Sequence, residues 1–142
     1  MSNETDIVHK HIVAVLKANG SYAAKLPGGV WKGVAPDGTK YPHLIMAYAS
    51  GIDVLAFSGG YIGAGMEYLL KVVDASPSDA KAVDSFNWVE TTLMGLSGIN
   101  ATGLAYVYFD KLRPFTLPVV EDDILFQQEG RSFTVFVDLI GI

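Results

Sequence analysis

Between Gly29 and Ile45 the chain reads Gly-Val-Trp-Lys-Gly-Val-Ala-Pro-Asp-Gly-Thr-Lys-Tyr-Pro-His-Leu-Ile, and this punctuation leaves few folding options. A short apolar run enters the segment. Ala35-Pro36-Asp37-Gly38 then predicts a turn, because proline presets one backbone angle and glycine tolerates positive φ. Tyr41-Pro42 launches a second strand, Leu44 to Tyr48, because the residue before a proline is pushed out of the helical region.

Elsewhere the hydrophobic spacing supplies the elements. Val8, Ile12, Val15 and Leu16 fall on one helical stripe, so a helix is expected over 6–19, capped by Thr5 and stopped by Asn19-Gly20. The segment Gly51 to Gly65 has apolar side chains and five glycines but follows neither period. It reads as a long hairpin connection or arm, with a short strand at Asp53 to Phe57. Met66 to Val73 is a strand apolar on both faces. Ser76-Pro77 with Asp79 predicts the N-terminus of a second helix. Its stripe is Val83, Phe86, Val89, Leu93 and Leu96, and Gly95 and Gly98 end it. Two strands close the chain, Leu104 to Pro114 and Ser132 to Ile140, with a turn at Glu129-Gly130-Arg131. The expected class is α+β: two helices packed on one mainly antiparallel sheet, a single domain over 1–142, with a long Gly-rich hairpin or arm.

Composition narrows the function. Half of the 142 residues are hydrophobic, which argues against disorder. There is no cysteine, so disulfides and thiolate metal sites are excluded. No apolar run approaches the ~20 residues that span a bilayer, and the N-terminus lacks a signal pattern, so no membrane partner is expected. A net charge of −5 argues against binding nucleic acid through phosphate neutralisation.

The chemical motifs are incomplete. Gly33 to Lys40 nearly spells a phosphate loop, but Thr39 and Lys40 are exchanged and Tyr41-Pro42 forbids the helix that must follow. Gly60-Tyr-Ile-Gly63-Ala-Gly65 approaches a dinucleotide loop, yet Tyr68 stands where the third glycine belongs. His9 and His11 do not share a helical face, and no acid completes a metal triad with them or with His43. Glu121-Asp122-Asp123 reads as a solvated loop before it reads as a cation site. Ser58, Ser76, Ser85 and Ser97 lack a nucleophile elbow. No enzyme activity, catalytic residue, metal or cofactor is therefore expected. Tyr22, Trp31, Tyr41, Tyr48, Phe57 and Tyr61 make the first half of the chain rich in aromatics, as protein–protein surfaces are.

The order of these devices resembles the tail-completion and tail-terminator proteins of long-tailed bacteriophages. The similarity rests on the leading helix, the Ala35-Pro36 and Tyr41-Pro42 pairs, the Ser76-Pro77 helix and the closing Gly130-Arg131-Ser132-Phe133-Thr134-Val135 strand. It covers most of the chain and departs at the hydrophobic, Gly-rich segment from Ile52 to Gly65. The resemblance implies a structural, non-catalytic homo-oligomer, a hexameric ring that caps the tail tube and joins it to the head–tail connector of the neck. The implied partners are the tail tube protein and the connector, with DNA passing through the ring without sequence-specific binding. The implied location is the virion tail or neck, assembled in the host cytoplasm, in a virus or a domesticated tail-like particle.

Interface residues follow from these readings. The glycines of the arm make a self-supporting fold costly, while its apolar side chains still need burial. Leu55, Phe57 and Tyr61 are therefore expected to meet a neighbouring subunit or the tube. Asp110, Lys111 and Arg113 punctuate a strand either as an edge device or as intersubunit ion pairs. The competing function is a small-molecule-binding or enzymatic α+β domain with a pocket between helix and sheet.

Overall fold

A computed structural model describes residues 2–55, 61–76, 78–95, 99–100, 105–121 and 124–139. The elements are α1 (Ser2–Ala18), α2 (Tyr22–Lys25), β1 (Val30–Lys32), β2 (His43–Leu55), β3 (Tyr61–Asp74), α3 (Ala80–Gly95), β4 (Ile99–Asn100), β5 (Ala105–Glu121) and β6 (Ile124–Leu139). The six strands form one sheet in the order β1-β2-β3-β6-β5-β4. Among the described residues, only the short β1–β2 pair is parallel. The α+β class and the mainly antiparallel sheet agree with the sequence reading. A one-turn third helix, α2, is added.

Cross-strand partners share a face, so the register sorts the side chains. Leu44, Met46, Tyr68, Leu70, Val72, Phe133 and Val135 lie on the helix-covered face. They pack with Val8, Ile12 and Leu16 of α1 and Ala82, Phe86, Val89 and Leu93 of α3 into one core. Each large side chain buried this way contributes on the order of 1.5–3 kcal/mol. The Asn19 side chain secures the junction of the helices. Its Oδ1 accepts from the Ser21 backbone N–H at 2.9 Å and from Trp88 Nε1–H at 3.4 Å. Ser85 Oγ donates to the Lys25 carbonyl at 2.7 Å, and the Lys25 ammonium pairs with Asp84 at 2.6 Å.

Several boundaries differ from the sequence reading. Helix α1 starts at Ser2, so Thr5 lies within it and is not its cap. Helix α3 starts at Ala80, four residues after the expected Ser76 cap. Ser76 Oγ accepts the Ser78 N–H and Ser78 Oγ accepts the Ala80 N–H, at 3.4 and 3.2 Å. Asp79 is not a capping-box acid three residues into the helix. It immediately precedes α3, and its backbone carbonyl accepts the Val83 N–H, the first helical bond. The serines thus satisfy local donors in a non-helical approach and delay the helix, as short hydroxyl side chains do. Val83 is half-buried instead of sealed, and Leu96 and Pro77 lie outside the described residues.

The expected turn at Glu129-Gly130-Arg131 is absent. These residues run inside β6, where Gly130 pairs with Lys71 on one side and Phe115 on the other. Two backbone ladders override the local turn propensity of a single glycine. The strand expected to end at Pro114 continues to Glu121, which pairs with Ile124. Asp122 and Asp123 lie outside the described residues. The Gly-rich segment is also better ordered by pairing than its side-chain pattern implied. Gly51 to Leu55 pair with Met66 to Tyr61, forming the far end of the β2–β3 hairpin. Backbone hydrogen bonds need no side-chain period, so this ladder was invisible to a hydrophobicity reading.

Candidate functional site

Loop 33–42 positions the site. It leaves β1 and folds across one end of the helix-free face of the sheet, then feeds β2 at His43. The expected turn is present: Gly38 has φ +82°, and the Thr39 N–H and Oγ1 both donate to the Pro36 carbonyl, at 3.2 and 2.6 Å.

The base of the loop is clasped by backbone. The Gly28 N–H donates to the Pro42 carbonyl at 3.1 Å and the Leu44 N–H donates to the Gly29 carbonyl at 2.9 Å. Trp31 Nε1–H donates to the Gly28 carbonyl at 2.7 Å. A Cβ on Gly28 would lie 1.9 Å from the Lys40 carbonyl oxygen, so this crossing admits only glycine.

Beneath the loop lies a cavity of about 250 Å³. The register places His43, Val73 and Gln128 in one row across β2, β3 and β6, with Phe126 and Val119 beside them. Residues 35–39 and Tyr41 roof it. The Tyr41 ring centroid is 5.1 Å from that of His43 and 5.8 Å from that of Phe126, within aromatic contact range.

His43 is 6% exposed, and its Nδ1–H donates to the Lys40 carbonyl at 3.1 Å. Burial holds its pKa below the ordinary value, the carbonyl bond opposes that shift, and the Lys71 ammonium adds to it. Lys71 Nζ–H donates in turn to Gln128 Oε1 at 3.3 Å. The imidazole is thus a neutral, oriented wall of the cavity.

Among the described residues, the large apolar side chains left exposed are Val34 (82%), Val120 (70%), Ile124 (49%) and Tyr41 (42%). Tyr41 lines the cavity, Val34 precedes the cavity-lining Ala35, and Ile124 shares the helix-free face with Phe126 two residues on. Val120 lies on the same hairpin end but on the opposite face. These four exposed apolar side chains thus lie near one end of the sheet, as in protein-binding patches.

The residues singled out from the sequence lie elsewhere. Leu55 and Tyr61 are brought together as the last pair of the β2–β3 ladder. Phe57 lies outside the described residues. Asp110 and Lys111 stand on β5 opposite Thr134 and Phe133, and Arg113 falls in the register break between Lys111 and Pro114. The sheet does not join these two groups, because β6 runs between β3 and β5. Beyond Val107, β5 has no outer partner among the described residues, and Pro114 and Pro118 stand on it. Proline on an open edge discourages stray strand pairing.

The cavity itself was missed. Tyr41 was legible as a possible surface aromatic, but nothing local links it to Phe126, 85 positions later. Where the small-molecule reading expected a pocket between helix and sheet, the described residues of that interface pack as core. The cavity opens on the opposite face. Among the described residues, no group of three or more His, Asp or Glu side chains could hold a metal ion. Nor is any helix among them long and apolar enough to cross a membrane.

No protein-family model matches the chain, and no curated protein matches its sequence. Solved structures do. One chain, from the virion of a native gene transfer agent particle, superposes with a TM-score of 0.70 at 20% identity, covering 90% of this chain and 92% of that one. A second solved chain overlaps at a TM-score of only 0.42 and 16% identity, covering 92% and 94%, and contributes nothing further. By its fold, this protein is similar along nearly its whole length to a component of a gene transfer agent virion.

Proposed function

We propose that this chain is a structural component of a phage-like virion. Within it, the chain forms the ring that caps the tail tube and joins it to the head connector. The observation that carries this reading is the shared fold, which spans nine-tenths of both chains. The order of sequence devices, from the Ala35-Pro36 and Tyr41-Pro42 pairs to the closing strand, supports the tail-terminator assignment. The exposed apolar side chains around the loop supply surface for protein contact. Six copies in a closed ring, with the tail tube on one side and the connector on the other, bury such patches without leaving open interfaces.

Two measurements test this. Light scattering at tens of micromolar protein is expected to give several times the 15.2 kDa protomer mass, with rings visible by negative-stain microscopy. Removing the gene from a particle-producing strain is expected to leave heads and tails that do not join. A monomer in solution together with normal particles from the deleted strain would sink the proposal.

A further inference from the structure

Between α1 and α2 the chain turns through Asn19-Gly20-Ser21. In an Asn-Gly pair the side-chain amide carbon and the next backbone nitrogen approach freely, because glycine brings no Cβ to crowd that nitrogen. The fold holds this pair in a particular way. The Asn19 N–H donates to the Leu16 carbonyl at 3.2 Å, and its carbonyl accepts the Tyr22 N–H at 3.1 Å. Its Oδ1 accepts the Ser21 N–H at 2.9 Å and the Trp88 Nε1–H at 3.4 Å. Trp88 is steadied by the Tyr22 ring, whose centroid lies 6.5 Å away. Gly20 is exposed, and a Cβ added there would meet nothing within 4 Å. Among the described residues its N–H has no acceptor.

We propose that Asn19 is a site of self-modification, where the Gly20 nitrogen displaces the side-chain amide and the residue becomes aspartate or isoaspartate. The step balances with water alone. Hydroxide takes the Gly20 N–H proton, and the nitrogen attacks Asn19 Cγ. The N–Cγ bond forms while negative charge gathers on Oδ1. The Cγ–Nδ2 bond then breaks, and ammonia leaves with a proton from water, which restores the hydroxide. Water finally opens the cyclic imide at one of its two carbonyls.

The fold contributes the two donors. The Ser21 N–H and the Trp88 Nε1–H already converge on the oxygen where charge develops, as oxyanion-stabilising groups do in acyl transfer. Both bonds strengthen once that oxygen is anionic, so they favour the transition state over the starting amide. The product puts a carboxylate at the C-terminal end of α1, where the helix dipole is itself negative. In the isoaspartate form one more main-chain atom separates residue 19 from Gly20, and the turn must shift. The modification thus acts on the joint where α1, α2 and α3 meet, and it runs one way.

The test compares the folded chain with a synthetic peptide of residues 18–25, which keeps the Asn-Gly pair and lacks Trp88. Both are held for days at mildly alkaline pH. Trypsin then releases the same segment from the protein, because Lys17 and Lys25 bound it. Mass spectrometry reads the exchange of amide for acid, and isoaspartyl methyltransferase reads the isoaspartate. The folded chain is expected to convert roughly fivefold faster or more, the factor supplied by one hydrogen bond of ordinary strength. Trp88→Phe keeps a ring beside Tyr22 and removes the donor, so most of that advantage should be lost. Gly20→Ala adds a Cβ into open space and is expected to keep its amide. A folded chain that converts no faster than the peptide overturns the inference, because the clasp then protects Asn19. The inference also fails if Trp88→Phe melts like the parent and converts at the parent's rate, or if Gly20→Ala converts as fast as the parent.

Discussion

On the helix-covered face of the sheet, Leu44, Met46, Leu70, Val72, Phe133 and Val135 are sealed completely beneath α1 and α3. On the other face, among the described residues, loop 33–42 covers His43, Val73, Phe126 and Val119, with a cavity in between. One face is closed by two helices whose stripes match it, so it serves stability. The other is closed by a strap of turn residues with exposed apolar side chains at its border, so it is available for contact. The same period-2 strands supply both faces, and what differs is what the chain places over them.

The largest effect that sharpens this contrast is a truncation in the sealed face. Leu70→Ala leaves a cavity where packing cannot collapse and is expected to cost about 2–5 kcal/mol. Chemical denaturation of the variant measures it. A cost under about 1 kcal/mol would show that this face is not the rigid one.

A smaller effect is expected where the strap is clasped. Gly28→Ala drives a methyl into the Lys40 carbonyl oxygen, so the crossing must shift, at about 1–3 kcal/mol as for other overpacked sites. Gly20→Ala, where an added Cβ meets nothing within 4 Å, is the control. Equal melting temperatures for the two variants would dissolve the distinction.

The gentlest probe is pH. His43 beneath the strap and His11 in α1 both have pKa values lowered from 6.5 by burial. The folded state therefore binds fewer protons than the unfolded state once pH falls through about 6.5. Stability is fully present above that value and declines below it toward the folded pKa values. Melting temperature is expected to drop between pH 7 and 5, with a shallower drop for His43→Gln. An unchanged slope in that variant would mean that the strap does not sense the imidazole.

Much of the framework was legible in the sequence because it is periodic. The stripe Val8, Ile12, Val15, Leu16 and the stripe Val83, Phe86, Val89, Leu93, Leu96 predict which faces of α1 and α3 are buried: six of these nine residues are sealed, Val15 and Val83 are half-buried, and Leu96 lies outside the described residues. The turn at Pro36 to Thr39 was legible because Gly38 must take a positive φ there. The errors have a common origin. Gly130 signals a turn locally, yet a partner strand on each side holds it extended in β6. The glycines of residues 51–65 hide a ladder made by backbone alone. Ser76 is a good cap by type, but Ser78 and Asp79 are nearer the helix.

The sequence by itself determined the α+β class, the identity of the helical core stripes and the turn that shapes loop 33–42. Each depends on residues within a few positions of one another, where spacing and backbone preference act directly. The tertiary structure alone decided that Tyr41, His43, Val73, Val119 and Phe126 converge on one cavity. Strands distant in sequence become neighbours only when a whole sheet forms. Their register is then fixed by the sum of many pairings, and no single residue among them carries that information.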